Sequence, residues 1–206
     1  MTTDLPTDLP YAPVLDFWLG ACPLSAAALQ RVQGQWFRKD EAFDAELRRR
    51  FEATIADARA GRLDGWAAQA EGRLALLIVL DQFTRNAFRG RPESFAGDAQ
   101  ALAVALEGIA RGHDAAVPPM ARIFCYLPLE HAEDADMQAR SVALFEALRD
   151  APDAEPKAFF DVTLDYARQH QAVIARFGRF PHRNAILGRA STAQELAYLA
   201  QPGAGF

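Results

Sequence analysis

Apolar residues recur every three or four positions along most of the chain, and this spacing constrains the fold more than any other feature. The pattern is clearest after Asp40, an N-cap residue, where the apolar positions are Phe43, Leu47, Phe51, Ile55 and Ala58. Such spacing places one apolar stripe along an α-helix. No segment alternates apolar and polar residues with the period of two that marks a half-buried strand. The sequence therefore predicts an all-α fold.

Start and stop residues divide the chain into seven to eight predicted helices. They cover residues 13–19, 41–60, 64–86, 94–111, 118 to a break or kink at Pro128, 137–148, 160–177 and 193–200. Short turns between them favour antiparallel helix pairs, arranged as a tetratricopeptide-like (TPR-like) helical-repeat bundle or a short solenoid. We expect residues 1–12 to form a flexible N-terminal arm and residues 13–206 to form a single all-helical domain.

Composition and charge limit where the protein acts and what it binds. Residues 74–80 are the longest apolar run, and a membrane-spanning helix needs about 20 such residues. No signal peptide is visible, and Cys22 and Cys125 are far apart without a CxxC pair, so we expect a cytoplasmic protein. The net charge of -5 gives no general attraction for nucleic acid or anionic membrane. We therefore expect neither as a partner.

The first polar segment, residues 80–86, ends the predicted central helix. Asp81 and Arg85 are four residues apart, so they share a helix face and are expected to form an ion pair. One interpretation is a helix end that emerges into water with its own salt bridge. The other is an acid and a base that project into a cleft from a rigid helix.

The second polar segment, residues 126–134, combines Pro128 with Glu130 and His131. Acids beside an imidazole are able to bind a divalent metal, but the spacing does not match H-E-x-x-H and no second histidine is nearby. We therefore expect no metal and no cofactor. The alternatives are a Glu130–His131 pair for proton transfer or hydrogen bonding, and acids that cap the next helix or face solvent.

The third polar segment runs from residue 166 to residue 189. Its notable side chains are Tyr166, His170, Arg179, His182, Arg183, Asn184 and Arg189. Arginine forks match the geometry of carboxylates and phosphates, so the loop suits a small anionic ligand. The alternative is a structural loop whose arginines bond helix carbonyls and pair with acids such as Asp81, Glu130 or Glu133.

Five motifs together resemble the bacterial domain-of-unknown-function family numbered 924. They are Val14–Trp18, Trp36–Asp40, Leu80–Asn86, Tyr126–His131 and Phe177–Asn184. The resemblance extends from about Val14 to about Leu199, with one departure at Thr84, where the family prefers proline. It implies an all-α fold similar to TPR-like domains, and it implies no established activity.

Our leading functional hypothesis is a polar pocket between helices that binds a small anionic molecule, with His–carboxylate acid–base chemistry. The candidate catalytic residues are His170, Glu130 and His182. The candidate ligand-binding residues are Asp81, Arg85, Asn86, His131, Tyr166, Arg179, Arg183, Asn184 and Arg189. The main alternative is a TPR-like module for a protein or peptide partner, in which the polar motifs are structural. The least favoured alternative is metal-dependent hydrolysis through His131, His170 and His182 with nearby acids.

Overall fold

The computed structural model describes residues 9–22 and 24–205, and helices are the only regular secondary structure in that part of the chain. The α-helices are α1 (Ala12–Leu19), α2 (Ala26–Val32), α3 (Glu41–Arg59), α4 (Ala70–Leu77), α5 (Thr84–Ala87), α6 (Asp98–Ala110), α7 (Pro119–Glu130), α8 (Ala135–Asp150), α9 (Lys157–Phe177) and α10 (Ala193–Leu199). Single 3₁₀ turns lie at Gln33–Gln35, Asp64–Ala68, Pro92–Phe95 and Pro181–Arg183. The predicted all-α class is confirmed.

A buried central rod organises the fold. Helix α4 continues through a π-helical turn at Ile78–Phe83 into α5, and residues 72–84 are all buried. Helices α3, α6 and α7 pack around this rod. The apolar run in the sequence predicted this central position, because a helix that is apolar on every side must be covered on every side.

Helices α7, α8 and α9 form the second half of the molecule. Helix α8 packs against both α7 and α9, and short connections join the three helices. Successive neighbours with short connections run antiparallel. A TPR-like repeat within this arrangement stays a prediction.

No helix in the described residues is both long and apolar enough to cross a membrane.

The predicted helix pattern differs from the structure most clearly at three places. Helix α2 was missed, because only Ala28 and Leu29 are buried in it and its apolar pattern is weak. Asp64 begins a 3₁₀ turn instead of a long helix, and the chain folds back so closely that a Cβ at Gly72 would lie 2.3 Å from the Trp66 carbonyl oxygen. Pro128 does not interrupt α7, which continues to Glu130.

The predicted caps hold the helix ends. The Asp40 carboxylate accepts hydrogen bonds at the start of α3, and Thr192 forms a capping box with Glu195 at the start of α10.

Part of the predicted N-terminal arm, residues 1–8, lies outside the described residues. Tyr11 is buried, and its hydroxyl lies 3.2 Å from the Gln69 side-chain oxygen.

Candidate functional site

The π-helical turn of the central rod presents Asp81 to the end of α7. In this wider turn the Thr84 hydroxyl donates to the Leu80 carbonyl at 2.7 Å, and Arg85 donates to the Asp81 carbonyl at 2.7 Å. Side chains therefore satisfy backbone groups that a regular helix would use internally. π-Helical turns occur frequently at functional sites, so this turn marks a candidate functional site.

Asp81 lies between Arg85 and His131. Its carboxylate Oδ1 is 2.8 Å from Arg85 Nη1 and 2.8 Å from His131 Nδ1. The predicted Asp81–Arg85 ion pair is confirmed. The interpretation of a helix end emerging into water is wrong, because Asp81 is only 1% exposed.

Glu130 faces His170 of α9. Glu130 Oε1 lies 3.1 Å from His170 Nδ1, and the same nitrogen lies 2.9 Å from the Tyr166 carbonyl oxygen. Adjacent residues on a helix point about 100° apart, so Glu130 and His131 engage different partners. The expected Glu130–His131 pair is therefore corrected to two pairs, Glu130 with His170 and His131 with Asp81.

Asp98, at the first turn of α6, pairs with two arginines, Arg85 and Arg183, and so extends the network around Asp81 and His131. It lies 3.0 Å from Arg85 Nη1 and 3.1 Å from Arg183 Nη1, and Arg183 Nη2 donates to the His131 carbonyl at 3.0 Å. Sequence analysis missed Asp98, because an acid at the start of a helix ordinarily interacts with the dipole of its own helix. We call these residues the polar cluster: Asp81, Arg85, Asp98, Glu130, His131, His170 and Arg183.

Burial dominates the ionisation of the polar cluster. Burial and the charge of Asp81 raise the pKa of Glu130 to about 8, and burial lowers the pKa of His170 to about 3. Burial and the charge of Arg85 also lower the pKa of His131. Burial alone would raise the pKa of Asp81, but Arg85 and His131 outweigh it and hold that pKa below its usual range. Near pH 7, Asp81 is therefore charged while Glu130 and both imidazoles are neutral.

Three side chains of the polar cluster converge closely enough to share an ion. Glu130, His131 and His170 each offer one ligand atom, and these atoms lie within 4.8 Å of one another. Spacing along the chain did not reveal this group, because His170 comes from a different helix than Glu130 and His131. Such a set could only have been found by pairing motifs that are distant in sequence.

Arg183 is a structural contact as well as a candidate ligand residue. It is only 7% exposed, and its guanidinium carbon lies 4.7 Å from the Phe95 ring and 4.6 Å from the Phe180 ring. The sequence named Arg183 as a candidate ligand-binding residue, and its burial gives it a structural role as well. A buried arginine that is paired with Asp98 and held between two rings contributes to the fold.

Two other predicted arginines fasten the loop after α9. Arg189 pairs with Glu133 at 2.6 and 2.9 Å, and Arg179 pairs with Glu195 at 2.7 and 2.9 Å. Bidentate pairs of this kind use the whole guanidinium fork. The alternative of a structural loop, which the sequence left open, therefore describes the contacts of these two arginines.

The remaining predicted residues lie at or beyond the edge of the polar cluster. Asn86 donates to Asp44 at 2.8 Å, and Asn184 donates to Ser191 at 3.1 Å. The Tyr166 residue is 49% exposed, and its backbone carbonyl is what meets His170. The His182 ring packs against Phe180 with a centroid distance of 5.6 Å. These contacts give Asn86 and Asn184 partners outside the cluster.

A shallow groove lies beside the polar cluster. It has a volume of about 270 Å³, runs between α8 and α9, and is lined by residues that include Gln138, Arg168 and Ile174. Gln138 connects the two features, because its side-chain amide donates to the Glu130 carbonyl at 2.5 Å.

Comparisons with known proteins identify a family without an assigned activity. No curated protein matches the chain. A solved structure of a protein of unknown function from Agrobacterium tumefaciens is 40% identical in sequence, with a TM-score of 0.79, and the match covers 93% of this chain and 97% of that chain. The model of the DUF924 family, bacterial proteins of unknown function, matches residues 14–203. The chain therefore belongs to the DUF924 family.

Proposed function

We propose that the polar cluster binds a small anionic molecule, such as a carboxylate or phosphate compound. The observation that carries this proposal is convergence. Arg85, Glu130, His170 and Arg183 come from four separate segments, yet contacts with Asp98 and His131 link the arginines to the histidines. A ligand site requires such convergence, whereas helix ends that are tied down separately do not.

Access to the polar cluster is along one edge. The side chains of Arg85, His131 and Asp98 are 18%, 14% and 22% exposed, while Asp81 and Glu130 are buried. A small anion would approach this edge and accept hydrogen bonds from the Arg85 guanidinium. Arg85 already faces Asp81 and Asp98, so the anion has to share its donors with these carboxylates.

His–carboxylate acid–base chemistry is the reaction that these contacts support. Its supporting observation is the 3.1 Å distance between Glu130 Oε1 and His170 Nδ1. General acid–base catalysis requires a titratable group within hydrogen-bond reach of the proton that it transfers. His182 is connected to this pair only through ring contacts, because the His170 and His182 rings lie 5.4 and 5.6 Å from the Phe180 ring, so its proposed role is at the periphery.

The burial of the motif residues favours a pocket over a protein-interaction module. A module for peptides needs its distinctive side chains on an open face. Asp81, Glu130 and His170 are instead 1%, 3% and 5% exposed. The anion proposal therefore accounts for the motif residues better than recognition of a partner chain does.

A thermal-shift titration tests the proposal. Inorganic phosphate and a panel of small carboxylates are added to the wild type, to Arg85→Gln and to Arg62→Gln, a control in the turn after α3 where the side chain is 61% exposed. We expect at least one anion to raise the melting temperature of the wild type and the control but not of Arg85→Gln, because ligands that bind only the native state stabilise it. Equal shifts in all three proteins would contradict the proposal.

A further inference from the structure

We propose that Glu130, His131 and His170 form a binding site for a divalent transition-metal ion. The proposal starts from the ligand atoms of these three residues, which lie within 4.8 Å of one another. Two imidazoles and one carboxylate are a common ligand set for zinc and for ferrous iron in sites that keep positions open. This proposal departs from the expectation of no metal, and it agrees with the least favoured of the sequence-based alternatives in using His131 and His170 with a nearby acid.

Glu130 supplies a second and independent observation. It is only 3% exposed, and its Oε2 atom has no hydrogen-bond partner among the described residues. A buried carboxylate oxygen without a partner is costly, so each one requires an explanation. Coordination of a cation would satisfy this oxygen.

Hydrogen bonds around the histidines orient them as metal ligands. His131 Nδ1 lies 2.8 Å from the Asp81 carboxylate, and His170 Nδ1 lies 2.9 Å from the Tyr166 carbonyl oxygen. A carbonyl oxygen only accepts, so the proton of His170 is on Nδ1 and the lone pair is on Nε2. Ligating histidines in metal sites typically donate their other nitrogen to a carboxylate or a backbone carbonyl in this way.

The spacing of the ligand atoms allows coordination after a small adjustment. Bonds of about 2.1 Å in a tetrahedral site place ligand atoms roughly 3.4 Å apart. Displacements of the ligand atoms by about 1 Å, through side-chain rotation, would therefore bring the three groups to coordinating distance. Binding should rigidify the contact between α7, which carries Glu130 and His131, and α9, which carries His170.

Charge balance links the metal to the proposed anion. Within the polar cluster, Arg85 and Arg183 are balanced by Asp81 and Asp98. A divalent ion on ionised Glu130 leaves one excess positive charge, and an anionic ligand at an open coordination position would neutralise it. The metal site thus rests on and deepens the proposed anion binding, whereas in the loaded protein coordination by Glu130 and His170 takes the place of the proposed proton exchange between them.

Isothermal titration calorimetry of the full chain with Zn²⁺ tests the metal site. The protein is treated with a chelator, dialysed into a buffer without phosphate or carboxylate, and compared with Glu130→Gln, His131→Gln and the matched control His113→Gln. His113 contacts Arg73, at 3.2 Å, outside the polar cluster. We expect one ion per wild-type and control chain and at least tenfold weaker binding to both ligand variants. An absence of binding to the wild type, or equal binding to all four proteins, would overturn the proposal.

A spectroscopic measurement on the wild type keeps the test independent of how well the variants fold. Co²⁺ replaces Zn²⁺, and X-ray absorption of the loaded protein should show two imidazole ligands. A shell made only of oxygen atoms would overturn the site. Because both measurements exclude anions, they test the metal separately, and repeating the phosphate titration with and without Zn²⁺ tests the anion separately.

Discussion

At the scale of single residues, three arginines of the third polar segment, residues 166–189, pair with carboxylates from distant parts of the chain. Arg179 meets Glu195, Arg189 meets Glu133 and Arg183 meets Asp98. The sequence named Glu133 among the possible partners of these arginines but not Glu195 or Asp98, because each pair depends on how helices pack. The Asp81–Arg85 pair was predictable, since its four-residue spacing is a local property of a helix.

Arg183→Ala should lower the free energy of unfolding by about 3 kcal/mol. The substitution removes a buried charge from between two aromatic rings and leaves the His131 carbonyl without its donor. Asp98 keeps Arg85 as a partner, so we expect the lower end of the range for a broken buried pair. Urea denaturation measures the change.

Two further variants define the result for Arg183. Arg183→Lys retains the charge but loses the planar fork, so its stability should fall between those of the wild type and Arg183→Ala. Arg168→Ala, at an exposed pair with Glu146, should change stability by less than about 0.5 kcal/mol. A similarly small change for Arg183→Ala would show that the buried contacts of Arg183 contribute nothing to the fold.

At the scale of secondary structure, the π-helical turn determines how the polar cluster assembles. Apolar periodicity predicted that residues 74–86 are helical, but it could not predict the wider turn, because a π-helix differs in hydrogen bonding and not in composition. The close approach of Gly97 to this turn likewise depends on tertiary packing and could not be predicted from the sequence. A Cβ at position 97 would lie 2.2 Å from the Leu80 carbonyl oxygen.

Gly97→Ala should therefore destabilise the protein by roughly 1–3 kcal/mol, as overpacking of a core typically does. The added methyl group would push the start of α6, with Asp98, away from the π-helical turn. Chemical denaturation measures the loss. Gly34→Ala is the control, because nothing lies within 4 Å of a Cβ there. Equal stabilities of the two variants would mean that the contact at Leu80 is loose.

At the scale of the whole molecule, the C-terminal segment is closed onto the bundle by ionic contacts. Glu195 accepts two hydrogen bonds from Arg179, at 2.7 and 2.9 Å, and one from the Thr192 backbone at 2.7 Å. The hydrogen bond from Arg179, followed by that from Thr192, lowers the pKa of Glu195 from 4.5 to about 2. The capping box was predictable from sequence, whereas the contribution of Arg179 was not.

This shift predicts how stability depends on pH. Because the pKa of Glu195 is depressed in the folded state, its contribution is fully present above pH 4.5 and is lost as the pH falls towards about 2. The difference in melting temperature between the wild type and Glu195→Gln should therefore be largest above pH 4.5 and shrink below it. A difference that stays constant from pH 7 to pH 2 would contradict the assignment.

The polar cluster is proposed to be a binding site for an anion and not only a structural network. The most direct measurement is a ¹H–¹⁵N NMR spectrum of the histidine imidazoles during titration with inorganic phosphate. We expect the resonances of His131 and His170 to shift in a saturable manner while that of His113, beside Arg73, stays unchanged. Unchanged His131 and His170 resonances at saturating phosphate, or a shift confined to His113, would contradict the proposal.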